Sequence, residues 1–175
     1  RNICLSSRGK KIMDHVKLEL ALRYYHQGQA DLAIEQLKEV LAADPQLAFA
    51  HALLASCLLA QRRVYAAEHE IAIALNIDPT KAYFFLVKSR VAIFNKDFNG
   101  ALALCDEALS LDPSRSDAHL MKAEIFTDLQ KRDQTLAELK AAAALTPDNT
   151  EITLAFGKHY FATGDLTQAE QMAKE

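Results

Sequence analysis

Hydrophobic and polar residues follow one another along this chain in blocks that fit pairs of amphipathic helices. Residues 82–115 show the pattern most clearly, with one helical stretch on each side of a polar step at residues 95–97 and a closing Asp112-Pro113. Apolar residues spaced three and four positions apart predict helices. Proline has no backbone N–H to donate, so it predicts where a helix pair ends.

The same block returns every 34 residues. Its closing step occurs at Asp44-Pro45, Asp78-Pro79, Asp112-Pro113 and Thr146-Pro147, and these are all four prolines of the chain. Small residues recur twelve positions before each proline and before the place where the next would fall, at Ala33, Ala67, Ala101, Thr135 and Ala169. A fixed period of this size indicates stacked repeats, and the small residues mark where two helix backbones approach each other.

The repeat resembles the tetratricopeptide repeat. The family pattern W-x2-L-G-x2-Y, A-x3-F and P is met by Leu20-Ala21-x2-Tyr24, Ala33-x3-Leu37 and Pro45, and again by Phe156-Gly157-x2-Tyr160. The resemblance covers residues 14–175. It implies an all-α fold, a right-handed superhelical solenoid of antiparallel helix pairs.

Two positions depart from the family pattern. The opening Trp is replaced in successive repeats by Lys17, His51, Phe85, His119 and Thr153. Lys88 and Lys122 occupy the position where the family usually has Leu. The pattern therefore predicts the packing of the first helix less firmly in the third and fourth repeats than elsewhere.

The period predicts one elongated repeat domain after a basic polar tail. The expected boundaries are 1–13 for the tail, then 14–47, 48–81, 82–115 and 116–149 for full repeats and 150–175 for a partial one. The first helix is expected over about residues 12–27 and ends at Gly28, where a left-handed cap is easy for glycine. The second pair has Gln61-Arg62-Arg63 in place of a glycine, which predicts either a strained left-handed residue or a different turn. The missing initiating Met and the stop in mid-repeat indicate a fragment of a longer protein.

Charge and cysteine content narrow the function classes. The net charge is −3, and beyond the basic first 13 residues the chain carries 16 basic and 23 acidic residues. Nucleic-acid binding needs a concentrated basic surface, so none is expected. Cys4, Cys57 and Cys105 form no CxxC pair, which indicates reduced thiols and a cytoplasmic location. The most apolar run, residues 47–60, is shorter than the roughly 20 residues that span a bilayer, so no membrane insertion is expected.

Enzyme signatures are missing from the sequence. There is no glycine-rich phosphate loop, no HExxH and no serine in a nucleophile elbow. The six histidines never stand four residues apart from one another. We therefore expect no catalytic residue, no cofactor and no metal site.

The resemblance places the functional surface on the first helix of each pair, which lines the concave side in this family. We call this surface the first-helix face. It is expected to be apolar and aromatic over three repeats, with Arg90 as a central cation, and acidic at the fourth. Large side chains on a face open to solvent indicate a binding surface, although helical spacing at any single position is equally typical of core. The predicted partner-binding residues are Leu18, Leu22, Tyr25, Phe49, Leu59, Tyr83, Leu86, Arg90, Ile93, Phe94, Glu124, Asp128 and Phe161.

These residues predict a non-enzymatic scaffold or adaptor that binds a peptide or helix of a protein partner. The ligand is expected in a groove between Tyr25 and Phe94, with an acidic group near Arg90 and a basic group near Glu124. Family members that hold the acidic C-terminus of heat-shock chaperones use Lys and Asn on successive first helices. The matching positions carry Leu18, Leu22, Leu53, His15 and Glu19, so no such clamp is expected.

Two alternatives to an adaptor stay open. In the first, the chain is a regulatory or targeting segment of a larger multidomain protein. In the second, it is a self-assembling structural scaffold. Weak self-association through the C-terminal end is expected, because the last helix has apolar residues with nothing beyond to cover them.

Overall fold

The computed structural model describes residues 7–172 and the side chains of residues 13–171, and this part of the chain is all-helical. Its ten helices are α1 (Ser7–His26), α2 (Ala30–Ala43), α3 (Ala48–Ala60), α4 (Val64–Ile77), α5 (Ala82–Phe94), α6 (Phe98–Leu111), α7 (Ser116–Asp128), α8 (Arg132–Leu145), α9 (Thr150–Thr163) and α10 (Leu166–Met172). The predicted series of helix pairs is therefore confirmed.

The chain begins its first helix earlier than the pattern predicts. α1 starts at Ser7 rather than near residue 12, so the expected tail is helical from Ser7 onward. Residues 1–6, including Cys4 and the rest of that tail, lie outside the described residues.

Each first helix ends on a residue in the left-handed conformation. These residues stand 34 positions apart and have φ between 58° and 82°: Gly28, Arg62, Lys96, Gln130 and Gly164. In the second repeat the Arg62 N–H donates to the Leu59 carbonyl at 2.9 Å, and the Arg63 N–H donates to the Leu58 carbonyl at 2.9 Å. This pair of bonds is the Schellman motif. The turn without glycine is therefore built like the others and holds a strained residue.

Each second helix ends at the step before proline. Asp44, Asp78 and Asp112 are extended, which is the conformation that a following proline favours. The Asp78 carboxylate accepts hydrogen bonds from the Thr80 hydroxyl at 2.6 Å and the Thr80 backbone N–H at 3.0 Å, and these bonds lower the pKa of Asp78. The sharp turn between repeats is thus held by the residues on both sides of the proline.

The helices form two compact units, one ending at Val91 and the other beginning at Ala92. In the first unit α3 is buried on nearly every side, and its largest fully buried side chain, Leu53, lies in a core with Leu37 of α2 and Ile71 of α4. A helix covered on all sides needs no polar face. This explains why residues 47–60 are apolar except for His51 and Ser56, which are themselves buried.

The second unit has its own core, in which Leu120 of α7, Leu139 of α8 and Ile152 of α9 are buried together. Four of the five small residues of the period are buried: Ala33, Ala67 and Ala101 have no exposed surface, and Thr135 has 2%, whereas Ala169 of α10 is half-buried. Their burial fits the close approach of helices that the sequence predicts.

Three of the polar residues at the positions that depart from the family pattern have partners, whereas Lys88 of α5 is exposed. His51 contacts the Glu70 carboxylate through Nδ1 at 2.6 Å, and His119 contacts Glu138 at 2.7 Å in the equivalent place two repeats later. Lys122 also contacts Glu138, at 2.9 Å, and Asp106, at 3.0 Å. The packing at Lys122 is thus completed by an ionic network.

Candidate functional site

On the first-helix face of the first unit, some predicted residues are exposed to solvent and others are half-buried. Phe49 is 38% exposed and Arg90 is exposed, whereas Tyr83 is half-buried. Three further predicted residues of α1 are half-buried and pack on the core: Leu18, Leu22 and Tyr25. The open part of this face therefore centres on the aromatic residues.

Two predicted site residues are wrong as surface residues. Leu59 and Leu86 are each only 3% exposed. Leu59 belongs to the core cluster, and α5 carries buried residues on more than one side. Burying a leucine side chain stabilises the fold by roughly 1.5–3 kcal/mol, so a first helix that neighbours cover on several sides keeps its leucines inside.

Phe49 and Tyr83 form an aromatic pair across α3 and α5. Their ring centroids lie 6.0 Å apart. The Tyr83 hydroxyl and Ser56 Oγ lie 2.9 Å apart, and Ser56 Oγ donates to the Ala52 carbonyl at 3.1 Å, so Tyr83 is the donor to Ser56. Burial raises the pKa of Tyr83 to about 12, and the phenol stays neutral. The Tyr83 ring is thus held in one orientation.

A cleft of about 620 Å³ opens beside this pair, between the start of α3, the end of α4 and the start of α5. Its walls are mainly apolar, and its polar edge includes Asp78 and Lys81, whose charged groups are 3.7 Å apart. The lining residues are Gln46, Leu47, Ala48, Phe49, Ile77, Asp78, Lys81, Tyr83 and Phe84. Sequence reasoning missed Leu47, Ile77 and Phe84, for which the only signal was their position next to the Asp-Pro steps.

Arg90 is a cation that acts on the aromatic pair of this face. Its positive charge opposes the rise in the pKa of the Tyr83 hydroxyl. Among the described residues, no carboxylate pairs with Arg90 within 4 Å. The guanidinium is therefore available to a negatively charged group of a ligand.

The second unit has a smaller cleft, of about 330 Å³, between α7, α8 and α9. Glu124 and Asp128, two predicted site residues, line it from α7, and Lys158 and His159 line it from α9. Burial, aided by the positive charge of Arg132, lowers the pKa of His159. Sequence reasoning missed His159, which lies one position away from the predicted face.

The remaining predicted residues lie on exposed or half-exposed helix surface. Phe161 of α9 is 73% exposed, Phe94 at the end of α5 is 41% exposed and Ile93 is half-buried. Leu154, one helical turn before Lys158, is 56% exposed. The open surface of α9 is therefore apolar on both sides of its lysine.

The described residues hold no group of three or more His, Cys, Asp or Glu side chains that could bind a metal ion. Cys57 and Cys105 are buried, and burial raises the pKa of Cys57 to about 11, so its thiol is a poor nucleophile. Within the same described range, no helix combines the length and hydrophobicity that crossing a membrane requires.

Comparisons with known proteins agree with the repeat period. Residues 24–90 match the family model of the tetratricopeptide repeat. Over 94 residues the chain is 29% identical to the protein STIP1 homolog of Dictyostelium discoideum. That match covers 54% of this chain but 17% of the relative, so the chain spans a small part of the relative's length.

Solved structures share the fold. A thermophilic TPR protein of Thermus thermophilus superposes with a TM-score of 0.85 at 24% identity, covering 91% of this chain and 87% of that one. The pilF protein of Pseudomonas aeruginosa superposes with a TM-score of 0.76 at 22% identity, covering 94% and 75% of the two chains. At these identities the likeness concerns the fold alone.

Proposed function

We propose that this chain is a non-enzymatic adaptor, because residues 24–90 match the family model of the tetratricopeptide repeat and proteins of that family generally mediate protein–protein interactions. It binds a peptide or helical segment of a protein partner on its first-helix face. The buried Cys57 thiol, which forms no disulfide, supports action in a reducing compartment such as the cytoplasm.

The aromatic pair of Phe49 and Tyr83 is the observation that carries this proposal. Rigid, partly exposed aromatic side chains beside a concave apolar cleft are typical anchors of protein interfaces. The hydrogen bond from Tyr83 to Ser56 fixes one ring before any ligand arrives. A ligand therefore loses less entropy in ordering the surface than it would on flexible side chains.

The cleft and a cation on the same helix as Tyr83, Arg90 of α5, specify the ligand further. The apolar walls of the cleft fit a large aliphatic or aromatic side chain. The exposed guanidinium of Arg90 favours a carboxylate in the same segment, because a guanidinium binds a carboxylate through two parallel hydrogen bonds. The proposed ligand is thus a peptide segment in which a large apolar residue lies near an acidic one.

The test uses peptides selected from a random displayed library on the full chain and then measured by calorimetry against variants. We expect Phe49→Ala to weaken binding by more than about 1–2 kcal/mol while the melting temperature stays nearly unchanged. Arg90→Ala should weaken the binding of peptides that carry an acidic residue and leave the binding of their neutral analogues unchanged.

Tyr65→Ala is the matched control, because Tyr65 is an aromatic residue of the same unit that is 91% exposed and does not line the cleft. It should leave binding unchanged. The proposal fails if the selected peptides bind Phe49→Ala and Tyr65→Ala equally well.

A further inference from the structure

The first helix of the chain presents an apolar side chain at a position that every later repeat buries. Val16 of α1 is 52% exposed. Its equivalents at the 34-residue period lie on α3, α5, α7 and α9, and each is at most 2% exposed: Ala50, Phe84, Ala118 and Ile152. Ile152 is buried together with Leu120 and Leu139 of the preceding helix pair. Val16 therefore lies on the side that a first helix packs against a preceding pair, and we call Val16 and Glu19 the front face.

The last described helix pair shows the reverse. Leu154 of α9 is 56% exposed. Its equivalents one, two and three repeats earlier are at most 6% exposed: Leu120, Leu86 and Ala52. Leu120 is buried together with Ile152 of the first helix that follows it. Leu154 therefore lies where a further first helix of the same register would pack, and we call Leu154 and Lys158 the rear face.

We propose that the rear face of one copy of this chain binds the front face of a second copy. The two faces carry the repeat positions that already pack against each other inside the second unit, where Leu120 meets Ile152. In the contact between copies, Leu154 takes the place of Leu120, and Val16 of the second copy takes the place of Ile152. Contacts between neighbouring repeats are what stabilise repeat arrays, so a contact of the same register between copies uses the same interaction.

The charges of the two faces are complementary. Glu124 of α7 and Ala155 of α9 line one cleft of the second unit. Lys158 stands one period after Glu124, and Glu19 stands four periods before Ala155, so the equivalent pair across two copies is Lys158 and Glu19. Both are exposed. Among the described residues, no carboxylate lies within 4 Å of the Lys158 amine. Glu19 contacts His15 at 3.3 Å through one of its two carboxylate oxygens, which leaves the other for Lys158.

The experiment follows sedimentation of the full chain from micromolar to millimolar concentration. Because the front and rear faces are different surfaces, a pair of copies keeps one free face of each kind, and association continues beyond two copies. We therefore expect the mean mass to rise with concentration past that of a dimer.

Two variants and their mixture test whether different faces meet. Val16→Asp removes the front face and Leu154→Asp removes the rear face, so each variant alone should stay monomeric. An equimolar mixture should form a dimer and no larger species, because it contains one intact face of each kind. Leu32→Asp is the control: Leu32 is 41% exposed and belongs to neither face, and this variant should associate like the unchanged chain. The melting temperature at low concentration should stay nearly the same in all three variants, since these side chains are exposed.

Charge reversal tests the register of the contact. Lys158→Glu and Glu19→Lys should each weaken association roughly two- to fivefold, the effect of one exposed ion pair. The chain that carries both changes should recover the original affinity, because the ion pair forms again with its charges exchanged. Lys88→Glu, at an exposed lysine of α5 that belongs to neither face, is the control for net charge and should leave association unchanged.

Three results would overturn the inference. They are an unchanged chain that stays monomeric throughout, Val16→Asp copies that still associate with one another, and a mixture of the two Asp variants that forms no dimer. Self-association among Val16→Asp copies would show a symmetric contact instead. Neither face includes the pair of Phe49 and Tyr83, so peptide binding at that pair and association of copies succeed or fail independently.

Discussion

At the scale of single residues, three turns carry a strain that two glycine turns avoid. Arg62, Lys96 and Gln130 adopt φ values of 58°, 61° and 59°, at the same place in the repeat as Gly28 and Gly164. The left-handed conformation costs a residue with a Cβ roughly 1–2 kcal/mol. The Schellman hydrogen bonds and the packing of the paired helices hold these residues in place against that cost.

Arg62→Gly is expected to stabilise the chain by about 0.5–1 kcal/mol, because relief of strain exceeds the extra entropy that glycine has in the unfolded chain. Lys96→Gly and Gln130→Gly should act in the same direction, as measured by urea unfolding. Gly28→Ala is the reverse control and should destabilise by a similar amount. A loss of stability in all three glycine variants would show that these turns are not strained.

At the scale of helices, the second unit contains a network that ties three helices together. Glu138 of α8 contacts both His119 and Lys122 of α7, and Lys122 also contacts Asp106 of α6. The side chains of Lys122 and Glu138 are only 16% and 17% exposed. At the equivalent place in the second repeat, Glu70 contacts His51 at 2.6 Å and His69 at 3.8 Å, and the His69 side chain is 73% exposed. The two repeats therefore differ in how many of the basic partners of this glutamate are buried.

Glu138→Ala is expected to cost about 1–3 kcal/mol of stability, because it leaves two partly buried basic groups without their shared partner. Glu70→Ala removes one such contact and should cost less. Double-mutant cycles with Lys122→Met and His119→Ala, measured by chemical unfolding, separate the two interactions of Glu138. Equal effects of Glu138→Ala and Glu70→Ala would contradict a shared role.

The ionic contacts of Lys122 also predict a pH dependence. Burial on its own would lower the pKa of Lys122, but the hydrogen bonds to Glu138 and Asp106 outweigh burial and raise the pKa above its ordinary value of 10.5. A raised pKa in the folded state means that the stabilisation is present below the unfolded pKa and is lost as pH rises through the folded pKa. The stability difference between the unchanged chain and Lys122→Met should therefore be constant near neutrality and shrink at alkaline pH. If the stability difference instead shrinks only on acidification, its pH dependence comes from the carboxylates and not from Lys122.

At the scale of the whole molecule, the last helix pair has three large apolar side chains that are more than half exposed, those of Leu154, Phe161 and Leu166. Phe161 is 73% exposed, Leu166 at the start of α10 is 63% exposed, and α10 has seven residues. In repeat arrays each unit is stabilised mainly by the neighbours it contacts. The stability of this pair should therefore be lower than that of α3, which is buried on nearly every side.

We expect α10 to show the least protection from amide hydrogen exchange among the described helices, and α3 the most. Weak self-association through the exposed leucine should appear in sedimentation at high concentration and be removed by Leu166→Lys. Leu32→Lys, which changes a leucine of the first unit that is 41% exposed, is the control and should leave association unchanged. If both variants self-associate to the same extent, the contact between chains does not involve α10.

The sequence by itself determined the helix pairs, because their signals are local. The proline steps and the small residues are local signals, and the described helices fall in the phase that the period predicts. Among the described residues, α1 departs from the prediction by starting at Ser7, since the family pattern begins later than the helix does. The structure also decided that the turn at Arg62 is left-handed, which the sequence had left open.

Tertiary structure decided which residues of the first-helix face are available. Leu59 and Leu86 occupy positions of that face as Phe49 and Phe94 do, yet the leucines are buried and the phenylalanines are exposed. Periodicity reports where a side chain lies around its own helix, whereas exposure depends on helices that arrive from elsewhere in the chain. Tyr83 meets Ser56 from 27 residues away, and His119 meets Glu138 from 19. The lining of both clefts arises from such distant pairs, and helical spacing alone carries no information about them.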